Sequence, residues 1–367
     1  MVLVTPENLK VSYDMTTLKN KAVFALGMKS VCVTDFTRDD IPSKNYYSIG
    51  LYYHPNPKTP DGLPWVSHDG LINPESDFGP KRELRKIIQS VFTLAVSGYF
   101  IDNKYSLHAV NLLKNWFLDK NNGMNPNLEN AQMVPGVNLG RRVGVIDSHI
   151  WINIIVALDF LEKTVDDKQF FSDMRNWFAR YADWLMLSLR GKDALGIGNN
   201  ISSWCIAQIL AFSIFSKQRS NYIDLCKQFF KKFISEQMDK NGCFTKEISR
   251  TRSLHYSLFN LQALTIAAEI LYQHDENLYN WHDANGQCLQ KSFDFLVPFL
   301  LKEKTWPYPQ ILDEKISKQF CFHIAALRYN DNTYKNTNNV FTKDPDFCDI
   351  MGPEYVWINK SKNDRVR

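Results

Sequence analysis

Apolar residues return every three or four positions through most of the chain, and that period constrains it to helix before anything else is considered. Trp151, Ile154, Ile155, Leu158 and Leu161 form one stripe. Ile223, Cys226, Phe230, Phe233 and Ile234 form a second, and Leu254, Leu258, Leu261, Leu264, Ala268 and Leu271 a third. Comparable stripes run near 85–100, 104–118, 169–190, 201–216, 284–301 and 315–328. The links between them are short and carry Gly, Asn, Asp or Pro, the residues that end helices. No strand–helix alternation is visible, which argues against a doubly wound sheet. About nine or ten helices joined in this way pack as antiparallel hairpins. The 150–161 segment is apolar around most of its circumference, as an inner helix layer covered by an outer one requires. A toroid of paired helices satisfies this. A tandem solenoid is the competing arrangement, but no repeat of fixed period is present. The expectation is an all-α chain forming an (α/α) toroid or incomplete barrel, a single structural domain. Its parts are an irregular aromatic and Pro-rich segment at 1–82 packed on the toroid, the toroid itself at 83–330, and a C-terminal extension at 331–367.

Hydrophobic residues make up 44% of the 367, enough for a large core. No run of about 18 apolar residues occurs, so no membrane span is expected. Lys and Arg total 43 against 39 Asp and Glu, a net charge of +4. That is too mild for a nucleic-acid binder without a concentrated basic stripe, yet compatible with a polyanion held in a local groove. The opening Met1-Val-Leu-Val-Thr-Pro6 lacks the basic and apolar regions of a signal peptide. Localisation therefore stays open between the cell interior, another export route, and a sequence that begins after a removed segment. The 7 cysteines are scattered, odd in number and free of CxxC pairs, so reduced and mostly buried thiols are expected. Asp166-Asp167 and the His274/His282 region lack metal-ligand spacing, and no metal or cofactor is expected.

Residues 53–64 place 4 prolines and a glycine in 12 positions, which forbids a helix or central strand there. Tyr46, Tyr47, Tyr52, Tyr53 and Trp65 flank this loop, and so aromatic a loop is expected to drape over a core or line a cleft. Polar residues that amphipathic periodicity does not require gather in three further places. These are Met124–Gly136 with Gly140-Arg141-Arg142, then Gly196–Trp204, and then Ser249–Asn260. In the second, Asn199 or Asn200 is a helix N-cap. Gly196-Ile197-Gly198 is no dinucleotide fingerprint, because the last glycine position holds Ile201. In the third, Arg252 and Tyr256 stand four apart on one helix face, with Arg250 just ahead. Nearby guanidinium groups favour the phenolate of a tyrosine, which could then move protons at carbon and oxygen.

Taken together, these segments resemble the alginate lyase domain family of polysaccharide lyases, helical toroids that cleave uronic-acid polymers. The resemblance covers most of the chain. It runs through Tyr47-Ser48, Tyr53–Pro57, Pro60–Pro64, Asp69-Gly70 and Asn73-Pro74-Glu75, then Met124–Leu128, Ala131-Gln132, Pro135-Gly136 and Gly140-Arg141. It ends with Asn199-Asn200, Arg250-Thr251, Tyr256-Ser257 and Phe259-Asn260. The family's second cluster reads Asn-Asn-His, whereas here the His position is Ile201. His54, His149 and His255 are the histidines considered as replacements.

The resemblance implies β-elimination from an acidic polysaccharide or oligouronate, with no cofactor. Removing the proton at C5 of a uronate builds negative charge on the adjoining carboxylate, which preplaced donors must stabilise. By resemblance, Asn200 and Arg250 supply that stabilisation. Tyr256 is the base and then the acid at the leaving glycosidic oxygen. Asn127 and Gln132 hold the sugar. Arg141 and Arg142, Tyr53 and Trp204 are candidates for carboxylate pairing and stacking, and Arg252 and His255 flank Tyr256 as further substrate contacts. One tyrosine can serve both steps where proton and leaving oxygen share a side, as in mannuronate or glucuronate. The alternative is a glycan-binding pseudoenzyme whose catalysis failed with Ile201.

Overall fold

The computed structural model describes residues 9–11, 15–312, 319–340 and 355–357. The opening Met1–Pro6 and the closing Lys360–Arg367, both noted in the sequence, lie outside the described residues, as does Cys348. Twelve helices are described: α1 (Met15–Leu26), α2 (Gly79–Phe100), α3 (Asn103–Leu113), α4 (Ile152–Leu161), α5 (Lys168–Leu187), α6 (Leu189–Gly196), α7 (Asn200–Ser216), α8 (Ser220–Gln237), α9 (Ser253–Tyr272), α10 (Leu289–Leu300), α11 (Phe320–Arg328) and α12 (Asn332–Asn339). They form the toroid that the apolar periods require.

The inner layer follows from hydrophobicity without a polar face. In α7 every residue from Ser202 to Ser216 is buried, and α4 and α9 are nearly as enclosed. These inner helices touch in the order α4, α7, α9, while α2, α5, α8 and α11 cover them. The outer helices are amphipathic by contrast. In α8, for instance, Tyr222, Cys226, Phe230, Phe233 and Ile234 face inward. Arg142–Leu161 is long and apolar enough to cross a membrane by composition, but 67% of that window is buried in the toroid, where it serves as core. The stripe at 284–301 begins later than its spacing suggests. Asp283 Oδ1 accepts from the backbone N–H groups of Asn285 and Gln287, holding a turn ahead of α10. The short helices α1, α6 and α12 carry no stripe long enough to have announced them.

Six short strands are described. β2 (Tyr47–Ile49) runs parallel to β5 (Asn130–Met133), and β3 (Tyr53–His54) pairs antiparallel with β4 (Val66–Ser67). β1 (Leu9–Val11) pairs antiparallel with β6 (Tyr355–Trp357). The Pro-rich loop thus folds as a small hairpin, while β2 stitches the N-terminal segment to the 124–136 cluster. Six cysteines are free among the described residues. Burial pushes the Cys205 thiol up to about 12, so it stays protonated in the core.

Candidate active site

A cavity of about 300 Å³ opens between the hairpin loop, the 141–146 turn and the N-termini of α7 and α9. Tyr52, Tyr53, Asp69, Gln132, Arg141, Arg142, Asn200, Ile201, Arg250, Tyr256 and Phe259 are among its walls. Three guanidinium groups against one carboxylate give it a positive balance suited to an acidic ligand. The same Arg141, Arg142 and Val143 also wall a neighbouring cavity of about 640 Å³ that adds Arg190. The two cavities share this Arg141–Val143 wall, and the second also carries the carboxylates Glu129 and Asp193.

Tyr256 sits in the first turn of α9 and is 8% exposed. Its hydroxyl shares a 2.5 Å hydrogen bond with that of Tyr52, and the Arg250 guanidinium lies 3.8 Å from its ring centre. The sequence reading expected Arg250 to favour the phenolate. Burial, followed by the effect of Tyr52, outweighs that pull and raises the Tyr256 pKa well above its ordinary value, so the group rests as a phenol. Arg250 is itself fixed by the hairpin loop. Its Nε donates to Asp69 Oδ2 at 3.1 Å, a second guanidinium nitrogen donates to Oδ1 at 2.5 Å, and the Thr251 hydroxyl donates to Oδ2 at 3.0 Å. Burial pushes the Asp69 carboxyl up, but Arg250 and Thr251 overcome it and hold the group below the usual carboxylate range.

Asn199 is the N-cap of α7, its Oδ1 accepting from the Ile201 N–H at 3.0 Å. That cap turns Asn200, 1% exposed, onto Glu247, which is equally buried. Asn200 Nδ2 donates to both Glu247 oxygens at 3.0 and 2.9 Å, and its backbone N–H donates to Oε1 at 2.7 Å. Ile201, half-buried, lines the cavity next to Asn200.

Across the cavity, Gln132 holds a left-handed backbone, φ 52°, that a non-glycine residue adopts only under constraint. The constraint is visible. Ser48 Oγ accepts the Gln132 N–H at 2.7 Å, Gln132 Nε2 donates to Asp147 at 2.9 Å, and Arg141 donates to both the backbone and side-chain oxygens of Gln132 at 2.7 and 3.1 Å. Arg141 also stacks 4.6 Å over the Tyr53 ring and donates to its hydroxyl at 3.2 Å.

Of the residues singled out in the sequence, Tyr53, Gln132, Arg141, Arg142, Asn200, Arg250 and Tyr256 converge on this cavity. Others stand elsewhere. Trp204 is 0% exposed and packs on His149 and Phe259, so it belongs to the core and offers no stacking face. Asn127 caps its own turn, accepting from the Glu129 N–H and donating to Asn45. Arg252 is the N-cap of α9 rather than a member of its face, because the helix begins at Ser253, and its stem packs close to Gly70. His255 meets Tyr256 edge-on and stacks along Phe259. His149 is buried behind the wall, its pKa lowered by burial to about 4, with Nδ1 donating to the Ile146 carbonyl. His54 pairs with the Leu71 carbonyl and with His68 and is not among the residues that line the cavity. Sequence reasoning gave Tyr52 only a place beside a loop that drapes over a core or lines a cleft, and assigned no role to Asp69, Asp147 or Glu247. Each acts across a sequence separation that no local motif reveals. Among the described residues, no group of three or more His, Cys, Asp or Glu is placed to hold a metal ion.

Residues 37–306 match the family profile described as Alginate lyase. No curated protein sequence matches the chain. Among solved structures, an alginate lyase from Bacteroides ovatus is similar, with 29% identity, 90% of each chain covered and a TM-score of 0.82. Alginate lyase A1-III from Sphingomonas species A1 shares 16% identity at a TM-score of 0.53, covering 91% of this chain and 90% of that one. A variant of alginate lyase A1-III complexed with tetrasaccharide shares 16% identity at a TM-score of 0.57, covering 89% and 91%. The last two bear on the fold alone.

Proposed function

Because this chain belongs to the alginate lyase family, we propose that it cleaves a mannuronate- or glucuronate-containing polymer by β-elimination in the cavity around Tyr256. One observation carries the reading: a phenol, a guanidinium and an amide from α9, its preceding turn and α7 meet in a single positively balanced chamber. In this reading the uronate carboxylate lies against Arg250 and Asn200, which stabilise the charge that builds when C5 loses its proton. Tyr256 takes that proton and returns it to the departing glycosidic oxygen on the same side of the ring. Its resting phenol suits the second step. For the first step, Tyr256 must first release its phenolic proton to solvent, against the hold of burial and of the Tyr52 hydroxyl. The Arg141–Gln132–Tyr53 clamp presents a rigid cation to a neighbouring sugar, and the second cavity on the other side of Arg141 and Arg142 suits a polymer better than a single residue.

The test is growth of absorbance near the ultraviolet edge, from the unsaturated product, when the protein meets mannuronan or glucuronan. Turnover should vanish in Tyr256→Phe and fall ~10²–10³-fold in Asn200→Ala. Flat traces across a panel of acidic glycans, with folded protein, overturn the proposal. A second reading, a glycan-binding pseudoenzyme, is favoured by Ile201 at the cavity wall. It predicts oligouronate binding without turnover, and Ile201→His separates the two, because it restores turnover only where the rest of the site is intact.

A further inference from the structure

Asn200 lines the cavity with its Nδ2 turned onto Glu247, 3.0 and 2.9 Å from the two carboxylate oxygens, so the donor end of the amide faces the carboxylate and Oδ1 faces away from it. An oxygen acceptor is the wrong group to meet a carboxylate. The opposite orientation needs a partner that donates to Oδ1 while still accepting the Asn200 backbone N–H, and a protonated Glu247 does both. Its carbonyl oxygen keeps the N–H and its hydroxyl serves the amide oxygen. We propose that Glu247 is a positioning residue whose protonation turns the Asn200 amide, so that an anionic sugar binds with uptake of one proton from solvent onto Glu247. This rests on the reading that a uronate carboxylate occupies the cavity beside Asn200.

The surroundings allow it. Glu247 is 1% exposed, and burial raises its pKa, opposed by the Asn200 hydrogen bonds and by the charges of Arg250 and Lys246. The charges that act on it are those of these two cations of its own segment. Lys246 is drawn away to the Ile197 carbonyl, and Arg250 is shared with Asp69 of the hairpin loop and with the ring of Tyr256. The start of α7 contributes the amides of Asn199 and Asn200 and the apolar Ile201. A second negative charge brought in by the ligand would stand against an already buried carboxylate, and taking up a proton removes that conflict.

Glu247→Gln imitates the protonated form, since its Oε1 keeps the backbone N–H and its Nε2 donates to Asn200 Oδ1. The experiment measures binding of a mannuronate oligomer by calorimetry in buffers of different ionisation enthalpy, with the full-length chain silenced by Tyr256→Phe. The expected result is close to one proton taken up per ligand bound, and affinity that falls up to about tenfold per pH unit above the Glu247 pKa. Adding Glu247→Gln should abolish the uptake and flatten that dependence while affinity is kept or improved, whereas Glu247→Ala should lose affinity. Binding without proton uptake, or uptake unchanged by Glu247→Gln, overturns this proposal and leaves the substrate reading standing. Absence of binding by folded protein, with melting curves and circular dichroism unchanged, overturns both.

Discussion

Burial and the Tyr52 hydroxyl hold the Tyr256 proton more strongly than the Arg250 guanidinium loosens it, and this balance sets a kinetic signature. A group that must be a phenolate to begin the reaction, yet whose pKa is raised, supplies more of its active form as pH climbs. The turnover number should therefore rise with pH, up to about tenfold per unit, with no plateau at the ordinary tyrosine pKa near 10. Tyr52→Phe removes a hydrogen-bond partner that stabilises the phenol, so the rising limb should move to lower pH. Initial rates at saturating polymer across alkaline buffers decide this, and a profile unmoved by Tyr52→Phe refutes it. Turnover reports Tyr256, whereas affinity reports Glu247, so the two dependences separate. The tyrosine and arginine were legible in the sequence because they lie within one short polar segment. Their partners were not. Tyr52 and Asp69 reach them from about two hundred residues away, and Glu247 sits in a turn with nothing in its spacing to mark it.

At the scale of elements, the hairpin loop is pressed onto the start of α9 at Gly70, where φ is +83° and an added Cβ would lie 2.4 Å from Thr251 Oγ1. No flexible side chain can make room, because Thr251 is held on Asp69. Gly70→Ala combines an unfavourable backbone region with overpacking and should cost about 1–3 kcal/mol. It should also shift Asp69 from Arg250, raising KM more than it lowers turnover. Thermal melting and steady-state kinetics of the one variant measure both effects, and a neutral outcome in each would show that the contact is slack. The longer helices were readable from apolar spacing, and a stripe with no polar face marks an inner helix. The loop's docking was not readable, because the Pro-rich run says only what the loop cannot be. Trp204 shows the same limit from the other side. A tryptophan in a polar cluster suggested a stacking platform, yet α7 is apolar all round and carries that ring inward.

For the whole molecule, the expectation was a partition into an N-terminal segment at 1–82, a toroid at 83–330 and an extension at 331–367, and we propose that the described residues of the first two parts act as one cooperative body. The Alginate lyase match begins at residue 37, well inside the first part. Tyr46 and Ser48 donate to Asp147 at 3.1 and 2.5 Å, β2 pairs with β5, and Asp69 grips Arg250, so the segment is tied down at two separated places, 46–49 and 69. A single unfolding transition should follow, the same by tryptophan fluorescence and by far-ultraviolet circular dichroism. The Asp69 link also gives this cooperativity a pH dependence of known sign. Its carboxyl is held below the usual range in the folded chain, so its contribution is present above the unfolded value and is lost as pH falls through the folded one. Asp69→Asn should therefore lower stability by about 1–2 kcal/mol at neutral pH, the value of hydrogen bonds to a charged group reduced for a partly exposed pair. In strong acid, where the native carboxyl is already neutral, the variant and the parent should converge. Melting both proteins from neutral pH down to the acid limit tests this. A gap that persists in acid would assign the loss to packing instead of charge, and a second transition in the variant would show that Asp69 is what joins the loop to the toroid.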